Sequence, residues 1–98
     1  MAGTILDGRA LAKTLRAELT AEIAAFKEQT SITPTIALIR AGEDPASVSY
    51  ARTIEKGFLN RGMGFVPCIL PDTTGQDEIV AAVAELNADG TVHGIIVQ

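Results

Sequence analysis

Apolar residues fall along this chain in two alternating rhythms. Leu11, Leu15, Leu19, Ile23 and Phe26 recur at three- and four-residue spacing across residues 8–27, the period of an amphipathic helix, with Asp7 placed as its N-cap. Arg9, Lys13, Arg16, Glu18, Glu22 and Lys27 mostly take the other faces, which reads as solvated surface on a packing helix. Residues 29–34 break the period with Thr, Ser and Pro. Thr35-Ile36-Ala37-Leu38-Ile39 then forms a short continuous apolar run, suited to a strand covered on both faces.

A second helix is predicted over residues 45–61. Asp44 is its N-cap, Pro45 occupies the first helical position where a missing N–H costs nothing, and Gly62 is a good left-handed stop. Ser47, Ala51, Ile54 and Phe58 make one stripe along it. Residues 64–70 read as a second strand, and Pro67 within it cannot donate a ladder hydrogen bond, so that strand belongs at a sheet edge. Thr73, Thr74 and Gln76 then open a third helix in the manner of a capping box, with Ile79, Val80, Val83 and Leu86 as its buried side. Residues 87–90 end it, and residues 92–98 form a last, buried strand.

Helix, strand, helix, strand, helix, strand is the order of right-handed βαβ units, which build an α/β fold of three layers with a short parallel sheet and helices on both faces. With the second strand at the edge, the expected spatial order is 2-1-3. Strands one and three are then neighbours whose following connections diverge, and ligands in such sheets bind at the carboxyl ends of the strands at that switch point. Gln98 ends strand three and Tyr50, the only tyrosine, lies one turn inside the helix after strand one. Topology therefore directs both toward one crevice.

Composition narrows the function classes. The chain's 98 residues suit a single domain, expected to bury roughly 60–65% of the surface of its unfolded form. A hydrophobic share of 47% with 20% charged residues is ordinary for a globular protein, and no apolar run approaches the length of a membrane span. The first eleven residues include Asp7 and lack a basic start followed by an apolar stretch, so they do not read as a secretory signal, and a cytoplasmic location is the default expectation. A net charge of −4 with scattered Lys and Arg argues against nucleic acid as a partner. One cysteine, Cys68, and one histidine, His93, build neither a disulfide nor a Cys/His zinc site within one chain, and Cys68 reads as an apolar filler. The loop after strand one holds a single glycine, Gly42, beside Glu43 and Asp44, which is no phosphate cradle or dinucleotide fingerprint. A phosphoacceptor receiver domain shares this topology but requires an aspartate where Gln98 stands.

Residues 42–56 and the ending Gly94-Ile95-Ile96-Val97-Gln98 resemble the amino-terminal half of the bifunctional methylenetetrahydrofolate dehydrogenase/cyclohydrolase family. The resemblance extends through Ile5-Leu6-Asp7-Gly8, Leu70-Pro71-Asp72-Thr73-Thr74 and Leu86-Asn87-Ala88-Asp89, nearly the whole chain. In the family motif a tyrosine is followed four residues later by a lysine, after Pro-Ala-Ser. Pro45-Ala46-Ser47 and Tyr50 match, and Ile54 stands at the lysine position.

The resemblance implies a folate site in which the tyrosine ring stacks on the flat part of the substrate. The lysine works with a glutamine at the end of the third strand to move a proton and open the methenyl ring with water. Tyr50, Val97 and Gln98 are the implied substrate contacts, and Tyr50 and Gln98 the implied catalytic pair. Ile54 is chemically inert, so the cyclohydrolase step is expected to be impaired, whereas hydride transfer depends more on holding folate against a nicotinamide ring. Lys56 is a poor substitute, because on a helix it points about 120° away from Tyr50 and residue 54 only about 40° away. Two readings of Ile54 stay open: it extends the stripe of Ala51 and Phe58 into the core, or it is a lost catalytic position facing the crevice.

The resemblance also implies a separate Rossmann-type domain holding NADP or NAD, absent from these residues. No cofactor is then expected on this chain alone, which looks like an isolated folate-side domain whose expected partners are the folate substrate and that domain. On its own it is expected to be inactive. The alternative is a non-catalytic folding or self-association module, a homo-oligomer formed through apolar surface and the sheet edge at residues 92–97.

Overall fold

A computed structural model describes residues 3–98. Its elements run in order α1 (Gly8–Thr30), β1 (Thr35–Ala41), α2 (Pro45–Asn60), β2 (Gly64–Leu70), α3 (Gln76–Ala88) and β3 (Gly94–Val97). The three strands form one parallel sheet in the order β2-β1-β3. Right-handed crossovers from β1 out to β2, and from β2 back past β1 to β3, put α2 and α3 on opposite faces. The α/β class, the parallel sheet and the 2-1-3 order are those expected from the pattern.

Strand β1 is the centre. Ala37, Leu38 and Ile39 are its fully buried residues, joined in the described core by Ile23 of α1. The strand runs two residues further than its apolar run, through Arg40 and Ala41, because β2 supplies ladder partners at Ile69 and Leu70. Pro67 sits opposite Leu38 on the outer strand, where its missing N–H faces away from the sheet. At the other end, Thr35 and His93 exchange two bonds: His93 N–H donates to the Thr35 carbonyl at 2.9 Å, and Thr35 N–H donates to His93 Nδ1 at 3.0 Å. Nδ1 is therefore the acceptor nitrogen of that ring.

Helix α1 departs from its expected role. It continues to Thr30, and the turn is made by Ser31 in the left-handed region at φ 59°. The Asp7 side chain caps it as expected, accepting from the N–H groups of Arg9 and Ala10 at 3.1 Å. Of its apolar stripe only Ile23 is buried, while Leu11, Leu15, Leu19 and Phe26 remain exposed. The period correctly marks a helix, but no described layer lies against most of that face.

Three further expectations are corrected. Gly75 is the N-cap of α3 and no side chain caps it, because Thr74 is drawn into a turn with its N–H on the Pro71 carbonyl at 3.0 Å. Val80 faces solvent at 57% exposure, leaving Ile79, Val83 and Leu86 half-buried. Strand β3 is shorter than residues 92–98 and only half-buried, since it forms the second sheet edge. The accessible surface of 7120 Å² exceeds the roughly 5,400 Å² of a compact chain of this mass, so burial falls short of the expected share. The radius of gyration, 17.0 Å, likewise exceeds the ~13 Å of a compact domain this long.

Thr35 and Gly64 are ladder partners, and a Cβ added at Gly64 would lie 2.5 Å from Thr35 Oγ1 and 3.2 Å from its Cγ2. Gly64→Ala is expected to destabilise the fold by about 1–3 kcal/mol, and adding Thr35→Ala should recover much of that loss in urea denaturation. In the turn after α3, Asp89 has its pKa lowered from the ordinary carboxylate value, first by the Thr91 hydroxyl at 2.6 Å and then by the Thr91 N–H at 2.9 Å. A depressed folded-state pKa gives stability that is present above the unfolded value and is lost as pH falls through the folded one. Thr91→Ala should return the Asp89 carboxyl toward the ordinary value in a carbon-detected NMR titration.

Candidate functional site

The carboxyl ends of β1 and β3 meet under the start of α2. Gly42 turns the chain out of β1 at φ +89°, with its N–H on the Leu70 carbonyl at 2.9 Å and Asp72 packed where a Cβ would be, at 3.1 Å. Any side chain there would be strained twice, by the backbone and by Asp72. Asp44 then caps α2, its Oδ2 accepting from the Ser47 N–H at 3.1 Å, with Pro45 in the first turn. These constraints aim the helix and place Tyr50.

Gln98 reaches the same helix from the other strand. Its N–H donates to the Ile39 carbonyl at 2.8 Å, extending the β1–β3 ladder by one residue. Its side-chain Nε2 donates to the Ser47 carbonyl at 3.1 Å. Ser47 and Tyr50 are three residues apart, about 60° round the helix and about 4.5 Å along it. The amide thus lies against the turn that carries the ring, and both belong to the α2 side of the sheet. Tyr50 is 59% exposed, so its ring is open to a ligand.

Val97 and Ile54 sit differently. Strand alternation turns Val97 to the face opposite Gln98, the α3 side, where it is 55% exposed. Ile54 is half-buried, as are Ser47, Ala51 and Phe58 of its stripe, and it stands about 40° from Tyr50 on the helix. It borders both the core and the side that carries the ring.

Arg40, to which the sequence pattern assigns no role, is the most buried charged residue described, at 5% exposure. Its Nη1 donates to the Gly42 carbonyl and lies 3.4 Å from Glu43 Oε2, so it ties down the loop that leads into α2. The available signal was an arginine ending an apolar run, in a strand whose partner continues past it. On this flank of α2, away from Tyr50, an open cleft of about 310 Å³ is lined by Arg40, Arg52, Glu55 and apolar residues of β1, β2 and α2.

An open parallel α/β sheet with an exposed aromatic ring and an amide at its switch point is the frame of a small-molecule site. Residues 6–98 match the tetrahydrofolate dehydrogenase/cyclohydrolase catalytic domain, and the chain belongs to that family. It is 46% identical over all 98 residues to the bifunctional protein FolD of Heliobacterium modesticaldum, covering 34% of that protein. Its fold matches the crystal structure of the bifunctional FolD methylenetetrahydrofolate dehydrogenase/cyclohydrolase from Campylobacter jejuni with a TM-score of 0.92 at 34% identity, over 99% of this chain and 34% of that one. The Trypanosoma brucei FolD, complexed with NADP cofactor and inhibitor, matches with a TM-score of 0.89 at 30% identity, over 100% of this chain and 34% of that one. The chain spans about a third of the length of these relatives.

Asp44→Ala should reduce stability by about 1 kcal/mol, and the loss should appear as faster amide hydrogen exchange in the first turn of α2, at Ser47 above all.

Proposed function

We propose that this chain is the folate-binding part of a one-carbon folate dehydrogenase in which the cyclohydrolase step is impaired. The observation that carries the reading is the Gln98 amide bonded to the helical turn that presents the exposed Tyr50 ring. Stacking on Tyr50 fixes the plane of a flat heterocycle, and the Gln98 side-chain oxygen, unlike its nitrogen, is not committed to the Ser47 carbonyl. That oxygen can accept a hydrogen bond from a ring N–H or orient a water. Holding the substrate in one plane is the larger part of what hydride transfer asks of this half.

Ring opening asks for more, because a proton must be delivered and water polarised. Ile54, about 40° from Tyr50 on the helix, has no group that exchanges a proton. The described residues do not fit a dinucleotide either: the turn after β1 offers one glycine flanked by Glu43 and Asp44, whose carboxylates repel a pyrophosphate. The hydride acceptor, NADP or NAD, is proposed to be held by the part of the protein that the longer relatives carry beyond this third.

A second reading is favoured by one observation, the exposed stripe of Leu11, Leu15, Leu19 and Phe26 on α1. An apolar helical face of that length promotes association. Light scattering against concentration tests it, since a monomer at all concentrations would remove it.

The test of the main reading is a folate-analogue titration of the chain and two variants. Tyr50→Ala should weaken binding by roughly tenfold or more, about 1.4 kcal/mol, and unchanged affinity would remove the stacking assignment. Ile54→Lys, with the 98 residues fused to the dinucleotide-binding portion of a relative, should gain methenyl hydrolysis while dehydrogenase activity persists.

A further inference from the structure

The cleft on the β2 flank of α2 has a feature that the folate site does not use. Arg40 is one of its lining residues, and among the described residues the buried Nε of that side chain has no hydrogen-bond partner. A guanidinium presents donors along two edges, and here Nη1 is committed to the Gly42 carbonyl and the loop. The edge formed by Nε and the second Nη is the one a carboxylate takes bidentately. Glu43 does not supply that carboxylate, since it approaches Nη1 and its side chain is 75% exposed.

The walls state what else the ligand carries. Leu38, Val48, Ala51, Phe65, Pro67 and Ile69 line the cleft with Arg40, and the volume of about 310 Å³ is of the size that holds a small molecule. Arg52 adds a second cation at the lining and Glu55 an opposing carboxylate. On the helical wheel, residues 48, 52 and 55 lie about 140–160° from Tyr50, so the cleft and the proposed folate platform are on different flanks of α2. We infer that this cleft is a binding site for a small apolar carboxylate, aromatic or branched, whose carboxyl pairs with the Nε edge of Arg40 and whose hydrocarbon part replaces water against Phe65, Pro67 and Val48. The site is independent of the folate reading.

The arginine Nε–H resonance provides a local reporter, assigned to Arg40 by its loss in Arg40→Lys. Sodium benzoate titrated into the 98-residue chain should shift that resonance saturably, with a Kd on the order of 1 mM. Acetate should bind at least about tenfold more weakly for lack of the apolar part, and sodium chloride at matched ionic strength should give no saturation. Ala51→Phe fills the cleft while keeping Arg40 and should abolish the shift. Glu55→Gln leaves the cleft open, removes a competing carboxylate and should tighten benzoate by about two- to fivefold. Tyr50→Ala should leave the titration unchanged, which separates this site from the folate platform. No saturable shift up to about 50 mM benzoate, equal affinity for acetate, binding that survives Ala51→Phe, or looser binding in Glu55→Gln would each overturn the proposal.

Discussion

The pairing of β1 along both of its edges is the constraint on which the rest of this structure depends. Ala37, Leu38 and Ile39 are the most buried residues described, and they are buried because β2 and β3 flank the strand while helices cover its faces. The two registers then dictate side-chain directions. Leu38 pairs with both Pro67 and Ile96, so Arg40 and Gln98, two residues further along their strands, fall on the same face as Leu38. A slip of one residue in the β1–β3 ladder would send Gln98 to the α3 side and away from Ser47.

Helix α2 divides that face into two environments. Toward β3, the polypeptide offers an exposed ring, an amide and a hydrocarbon at the neighbouring helical position. Toward β2, it offers a buried guanidinium with apolar walls. The same loop serves both, since Gly42, Arg40 and Asp44 together set how the helix leaves the sheet. One turn therefore orients both flanks, with the Arg40 Nη1 on the Gly42 carbonyl and the Asp44 carboxylate on the Ser47 N–H.

The chain is a slab rather than a ball, 16 Å along its thinnest axis. Two of its three strands are edges, and α1 is tied at its far end by Ile23 and by the Lys27 ammonium on the Gly62 carbonyl at 2.8 Å, while most of its apolar stripe faces outward. A sheet of three strands has too little face to cover a helix of 23 residues as well as α2 and α3. No described helix is long and apolar enough to cross a membrane.

Local chemistry determined much of this protein by itself. The 3.6-residue period, the Asp7 and Asp44 caps, Gly62 after α2 and Pro67 on an edge strand are short-range signals, and each marks an element whose backbone obeys it. Family membership was legible for a related reason, in side chains set at fixed spacing around Tyr50. Capping of α3, the outward face of Val80 and the poor burial of α1 were not legible, because period and propensity say which residues share a face and not what lies against it. Only the tertiary structure decided that Gln98, distant in sequence from Ser47, bonds to its carbonyl, and that Arg40 lies beneath α2. Both outcomes rest on ladder register, which fixes long-range neighbours by pairing backbone groups and leaves no mark in the local sequence of either strand.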